Sequence, residues 1–387
     1  MEHVIIIGGG GTGAALAHDL VLRGFEVSLY ERGEFMSGTT GRHHGLLHSG
    51  ARYAVHDPVA ARECMRENKI LRQIAPQALE QNDGLFVAIN DSDMDYRRKF
   101  LESCHNCGIP ATKLTADQAR AVEPALNPDL KLAIRIPDAT MDAWRLPMHF
   151  FASARANGAR IENFSEVIGL HKSNGQMTGM RIFDHQTHDE YDVTGDLFVN
   201  ATGAWAGKVC NMAGIQLPVQ PGPGAMVAVE NRLTNMVVNR LHKAAEADII
   251  IPQRRLSLLG ATLWLDRDPD AVKLPPGQLQ KIVDSCAQMV PAVKNAGFRA
   301  IWWASRPLIA QRDTEDPQQI SRAFDCFDHK ERDGIEGLVS VIGGKATTLR
   351  AMAEKTADLI CKKTGRNIAC RTENEKLLHY RMFYKLK

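Results

Sequence analysis

The chain has 387 residues, 44% of them hydrophobic and 24% charged, with a formal net charge of +2. That length suits two interlocked domains, the composition is that of a folded globular protein, and a balance so near neutral excludes general binding to nucleic acid. No run of about eighteen apolar residues occurs, so no transmembrane segment is expected, and eight irregularly spaced cysteines predict reduced thiols and a cytoplasmic location.

The N-terminus, MEHVIIIGGGGTG, has an acidic residue and a short apolar run where a secretory leader needs lysines and a longer one. Val4–Ile7 predicts a buried parallel strand. Gly8, Gly10 and Gly13 follow in the spacing G-x-G-x-x-G. Ala14, Leu16, Leu20 and Val21 then predict a helix, stopped by Gly24 at its C-terminal cap. A second strand over Val27–Tyr30 ends at Glu31, eighteen residues past Gly13. Each part has a physical purpose in a dinucleotide site. Glycines let backbone approach a pyrophosphate, the helix N-terminus stabilises its charge, and the acidic residue accepts hydrogen bonds from a ribose.

Residues 41–54, GRHHGLLHSGARYA, place three histidines, two arginines and three glycines in one loop. His44 and His48 have a spacing that binds metal only on a helix. Gly45 disfavours a helix, and no third ligand is evident, so no metal is expected. A helix over 58–76 and a strand over 83–89 follow. Cys104 and Cys107 form a CxxC on a polar helix, with no second pair to complete a metal site.

A nicotinamide dehydrogenase would complete its nucleotide fold within about 150 residues. Here the second half arrives late. DLFVNATGAWAG (196–207) predicts a strand running into a small-residue turn. DIIIPQRRLSLLGATLW (248–264) predicts two strands around a Gln-Arg-Arg turn. GLVSVIGGKATTLRAMAEKTADLICKKTG (337–365) predicts a strand, a double glycine and an amphipathic helix. Lys345, at the start of that helix, opposes the macrodipole, a local conflict expected at a functional site. Trp302 and Trp303 are expected to pack rather than to cage a substrate.

The order of GGGGTG, GRHHGLLHSGARYA, NATGAWAG, SRPL and GGKATTLR over residues 1–370 resembles the FAD-dependent glycerol-3-phosphate dehydrogenases. Within them it is most similar to the catalytic flavoprotein subunits of the bacterial anaerobic enzyme, without their cysteine-containing C-terminal domain. The resemblance implies an α/β, amino-acid-oxidase-like flavoprotein. Its Rossmann-like FAD-binding domain is expected from discontinuous segments, 1–79, 151–209 and 321–370. An antiparallel-sheet substrate domain is expected over 80–150 and 210–320, with a C-terminal tail over 371–387. The resemblance also implies FAD contacts from Gly8, Gly10, Gly13, Glu31, Arg32, Thr40, His44, Gly45, Leu47, His48, Val167, Ala201, Gly203, Gly343, Gly344 and Lys345. It assigns substrate contacts to Arg52, Tyr53, Arg306 and Lys345; His48 is the candidate base, because an imidazole ordinarily titrates near neutral pH.

The implied reaction is oxidation of a small anionic secondary alcohol, sn-glycerol-3-phosphate or a related polyol phosphate, by hydride transfer to flavin N5. Bidentate arginine contacts suit carboxylate equally, so a 2-hydroxy-acid (2-hydroxyglutarate-like) dehydrogenase or oxidase is the alternative. A non-catalytic flavin-carrying subunit is the third reading, against which the joint presence of Arg52, Arg306 and Lys345 argues. The sequence departs from the resemblance at Leu349, where an aromatic residue is usual, and at GPGAM (222–226), where a lysine-glycine-serine stretch is common. Reduced flavin must pass its electrons onward, and the sequence has no cluster motif to receive them. A separate iron–sulfur or membrane-associated acceptor subunit is therefore expected, which would place the protein peripherally at the inner membrane.

Overall fold

The structure, a computed structural model, describes residues 1–309 and 323–386. Val4, Ile5 and Ile6 are fully buried in the strand His3–Ile7, as an aliphatic run covered on both faces must be. This strand lies within a six-stranded sheet in the order Phe324–Asp328, Leu338–Gly343, Leu197–Asn200, His3–Ile7, Glu26–Tyr30 and Arg160–Glu162. All neighbours are parallel except the edge strand Phe324–Asp328. Side chains alternate between two cores. Val4 and Ile6 face the helices Gly11–Leu22, Arg145–Ala156 and Leu349–Lys363. Ile5 and Ile7 face an antiparallel meander, Ser165–Ser173, Gln176–Asp184 and Glu190–Val193.

A second, eight-stranded sheet runs Phe298–Ile309, Val219–Val229, Leu256–Gly260, Ile249–Gln253, Val237–Arg240, Gly84–Ala88, Leu132–Ile136 and Thr112–Thr115. It is antiparallel except where Gly84–Ala88 lies parallel to Val237–Arg240, the seam between its two chain segments. The hairpin expected over 248–264 is present, with Gln253 opposite Leu256 and Arg254 at φ +54 in the turn. The helix Gln278–Met289 packs on this sheet through Ile282, Val283 and Cys286. The expected boundaries at 79/80, 150/151 and 209/210 each fall inside an element, namely Leu79–Glu80, Arg145–Ala156 and Ala206–Met212. The boundary at 320/321 lies outside the described residues.

The segment after 370 joins the first core. Phe383 is buried, its ring 5.6 Å from that of Phe35, with the Arg155 guanidinium 3.7 Å above it. Cys104 and Cys107, at the end of the helix Asp91–Asn106, are buried beside Phe100 and Ile109.

In the first helix, His18 is buried with neither ring nitrogen partnered among the described residues. Burial, then the nearby charge of Arg371, pushes its pKa down to about 4. The unfolded chain takes up that proton near pH 6.5 and the folded chain does not, so His18 costs stability increasingly as pH falls from about 6.5 toward 4. His18→Leu is therefore expected to raise the melting temperature, with the gain over wild type widening between pH 7 and pH 5. A gain independent of pH would contradict this account.

Candidate active site and cofactor cavity

One cavity of about 1140 Å³ runs between the two sheets and is walled by loops from both. It exceeds the range of about 300–1,000 Å³ typical of small-ligand sites, as a dinucleotide plus a small substrate requires. The loop after the first strand brings Gly8 and Gly10 to the wall. Gly8 has φ +110, and a Cβ there would lie 2.8 Å from the Ala201 carbonyl oxygen. Gly13 is not at the wall. It faces the strand, where a Cβ would stand 2.0 Å from the Gly8 carbonyl oxygen, so its role here is to seat the helix against the sheet.

Glu31 reaches the cavity from the end of the second strand. Its carboxylate accepts the Gly9 amide at 2.6 Å and the Gly33 amide at 3.0 Å. Burial nevertheless holds its pKa above the ordinary carboxylate value. Arg32 follows, its guanidinium 4.6 Å over the Trp205 ring. The Thr40 hydroxyl accepts the Gly11 amide at 3.0 Å, capping the first helix from across the chain. Val167, Ala201, Gly203, Gly343 and Gly344 complete this part of the wall. The small residues leave backbone facing the cavity, and Glu31 stands at one end of it. These residues fit a dinucleotide cofactor.

The GRHHG loop is a 3-10 turn over Thr40–Arg42 leading to a short strand, Leu46–Leu47. His43 Nδ1 accepts the Gly45 amide at 2.9 Å and His44 Nδ1 accepts the Leu46 amide at 3.2 Å. Both rings therefore carry their proton on Nε2 when neutral. His44 and His48 line the cavity, whereas Gly45 and Leu47 do not. Gly45 has φ +80 and packs against Gln253 and Met141. Leu47 is fully buried and pairs with Ala139. The bends at Gly41 and Gly50 likewise seat backbone against protein, the first on Trp144 and the second on Ala61.

Beyond this loop the candidate substrate groups converge from distant segments. Arg52, Tyr53, Arg306 and Lys345 all line the cavity with His48. Lys345 Nζ lies 4.8 Å above the Tyr53 ring, and that ring is 5.3 Å from His48. The His48 amide donates to Thr347 Oγ1 at 3.0 Å, joining the loop to the turn after Lys345. Arg306 donates to the carbonyls of Gly222 at 3.3 Å and Thr262 at 3.2 Å. A Cβ at Gly224 would stand 2.4 Å from its Nη1. Gly224 of GPGAM thus makes room for this guanidinium, a role not visible in the sequence.

Arg52 is engaged by acceptors that the sequence does not announce. It pairs with the buried carboxylate of Asp248 at 2.5 Å and donates to Asn239 at 3.4 Å and to the Ala245 carbonyl. His242 meets the other oxygen of Asp248 at 2.7 Å. Burial works against the Asp248 charge, but Arg52 and His242 outweigh it and hold the carboxyl below its ordinary pKa. His48 moves the opposite way. Burial, followed by the cations Arg52 and Lys345, pushes it down to about 3. His48 is therefore neutral across the physiological range in the free protein.

The sequence profile of the FAD dependent oxidoreductase family (DAO) matches residues 3–359. The chain is 42% identical over 386 residues to the A1 component of the anaerobic glycerol-3-phosphate dehydrogenase of Haloferax volcanii, covering 97% of this chain and 66% of that protein. It is 37% identical over 378 residues to the corresponding component of the Haemophilus influenzae enzyme, covering 97% and 67%. The chain thus spans about two thirds of the length of these curated relatives. Among solved structures, glycine oxidase from Geobacillus kaustophilus superposes with a TM-score of 0.76 at 21% identity, covering 98% of this chain and 100% of that one. Glycerol-3-phosphate dehydrogenase from Bacillus halodurans, complexed with FAD, gives 0.75 at 23%, covering 97% and 68%. At these identities the structural likeness is one of fold.

Proposed function

The chain belongs to the FAD dependent oxidoreductase family, and from that premise we propose that it oxidises sn-glycerol-3-phosphate or a closely related polyol phosphate to the ketone. FAD is the cofactor of the family and, when bound, supplies the acceptor for the hydride. The observation that carries the reading is the meeting of Arg52, Arg306 and Lys345, from three distant segments, in the same cavity as His48. The curated relatives, named as components of glycerol-3-phosphate dehydrogenases, support a phosphate rather than a carboxylate as the anion held there.

The geometry supports the following roles. Arg306, fixed on two backbone carbonyls, and Lys345, stacked on Tyr53, hold the anion and orient the alcohol carbon. Arg52 adds positive charge at a guanidinium fixed by Asp248. His48 receives the hydroxyl proton on a ring nitrogen. In the free protein that ring is a poor base, because burial and two cations oppose its protonation. A bound dianion offsets both cations, though not the burial, so proton uptake becomes easier with substrate in place than in the free protein.

The electrons then leave for a separate acceptor. The relatives are each named as one subunit of an enzyme, which supports a multisubunit assembly. No helix among the described residues is long and apolar enough to cross a membrane. We therefore assign the acceptor to an iron–sulfur or membrane-associated partner that holds this chain at the inner membrane.

Anaerobic mixing with sn-glycerol-3-phosphate is expected to bleach the flavin and yield dihydroxyacetone phosphate stoichiometrically, with glycerol and 2-hydroxyglutarate inert. Bleaching by the hydroxy acid alone would replace the reading with the carboxylate one. Hydrogen peroxide formed in air as fast as an artificial dye is reduced would make the protein an oxidase.

A further inference from the structure

One polar cluster at the cavity wall is not used by the substrate groups. Asp270 comes from the connection between the strand Leu256–Gly260 and the helix Gln278–Met289, on the side of the eight-stranded sheet. Its Oδ1 accepts Trp205 Nε1 at 2.6 Å and Arg32 Nη2 at 3.1 Å, and its Oδ2 accepts Lys208 Nζ at 2.5 Å. Lys208 also meets Asp268 at 2.6 Å. All three donors belong to the nucleotide-binding half. Arg32 directly follows Glu31, Trp205 lies in the turn after NATG, and Lys208 is on the helix Ala206–Met212. Arg32, Trp205, Lys208 and Asp270 line the cavity together with Glu31 and Val167. The dinucleotide fingerprint puts the adenosine ribose at Glu31.

We propose that Asp270 is a positioning residue for the cofactor, a strap by which the connection after Gly260 is fastened across the adenosine end of the FAD site, so that it sets the rate at which FAD leaves. The carboxylate touches no substrate group. It acts through Arg32 and Trp205, whose stacked side chains form the wall and which it locks in place. With Asp270 released, both side chains and the connection can swing outward and open that end. The ion pairs are 42–45% exposed at Arg32, Lys208 and Asp270. Each alone is weak and screened by salt. Three donors converging on one carboxylate hold the closed geometry as a network, and that network is salt-sensitive.

The inference rests on the assignment of this cavity to FAD and is independent of the substrate. The test uses purified FAD-loaded protein, following flavin release by its fluorescence rise after dilution, at low and high salt. Asp270→Asn and Asp270→Ala are expected to release FAD on the order of tenfold faster than wild type at low salt. Wild type should approach the variants as salt rises, and the variants themselves should respond little. Asp270→Glu should retain most of the wild-type rate, and Asp268→Asn, whose side chain meets Lys208 and accepts the Asp270 amide at 3.0 Å but reaches neither Arg32 nor Trp205, should show a smaller effect. Release from Asn and Ala variants within twofold of wild type would overturn the strap. So would faster release that keeps the wild-type salt response and accompanies a lowered melting temperature, since that is general loosening. Wild-type protein that holds no FAD would remove the cofactor assignment and the strap together, whereas FAD held with unchanged release removes the strap alone.

Discussion

Arg306→Ala is expected to lower kcat/KM for sn-glycerol-3-phosphate by roughly 30- to 1,000-fold while FAD content stays at the wild-type level. The loss corresponds to a charge-assisted contact worth about 2–4 kcal/mol. Arg306 lies in the wall of the cavity, its position fixed by the Gly222 and Thr262 carbonyls and by the space above Gly224. Removing the guanidinium takes away the proposed anion contact and leaves the cofactor wall at Gly8, Glu31 and Gly343 untouched. Arg306→Lys should recover only part of the activity, because an ammonium cannot reproduce the planar fork that these two carbonyls orient. Steady-state kinetics with a dye acceptor and the ratio of flavin to protein absorbance measure both quantities. Normal turnover in the alanine variant would mean that the anion binds elsewhere.

The largest effect on stability is expected at Arg350. This arginine is fully buried beside the equally buried Glu67, with Nη2 to Oε1 at 2.6 Å and Nε to Oε2 at 2.8 Å. Nη2 also meets Glu354 at 2.7 Å, and Nη1 meets Thr372 at 3.1 Å. The pair ties the start of the helix Leu349–Lys363 to the middle of the helix Pro58–Ile74. These are the next α-helices in the chain after Lys345 and after the GRHHGLLHSGARYA segment, respectively. Arg350→Leu strands a carboxylate in the interior and is expected to cost about 3–5 kcal/mol. Replacing both partners, Arg350→Leu with Glu67→Leu, should recover most of that loss, since no buried charge is left alone. Denaturant midpoints of the two variants decide it. A double variant as unstable as the single one would mean that the pair contributes more than the desolvation of its partner.

What can be read directly from the residues lies within short windows of chain. The strand–glycine–helix–strand unit from His3 to Tyr30 is legible because backbone sterics at Gly8, aliphatic continuity at Val4–Ile7 and the stop at Gly24 are all local. The hairpin around Arg254, the helix Pro58–Ile74 begun by its Asp57 cap, and the strand before Lys345 are legible for the same reason. The positions of Arg52, Arg306 and Lys345 in distinctive short motifs point to a shared site, although nothing local brings them together.

The partnerships come from the assembled fold. Gly45 and Gly13 face protein rather than the cavity, because a glycine signals close approach without saying to what. Asp248 pairs with Arg52 across 196 residues, Asp270 with Arg32 across 238, and Glu67 with Arg350 across 283. Charge pairing has no sequence period. It is set by which loops the two sheets bring face to face, and the parallel seam between Gly84–Ala88 and Val237–Arg240 fixes that arrangement through contacts no local propensity encodes.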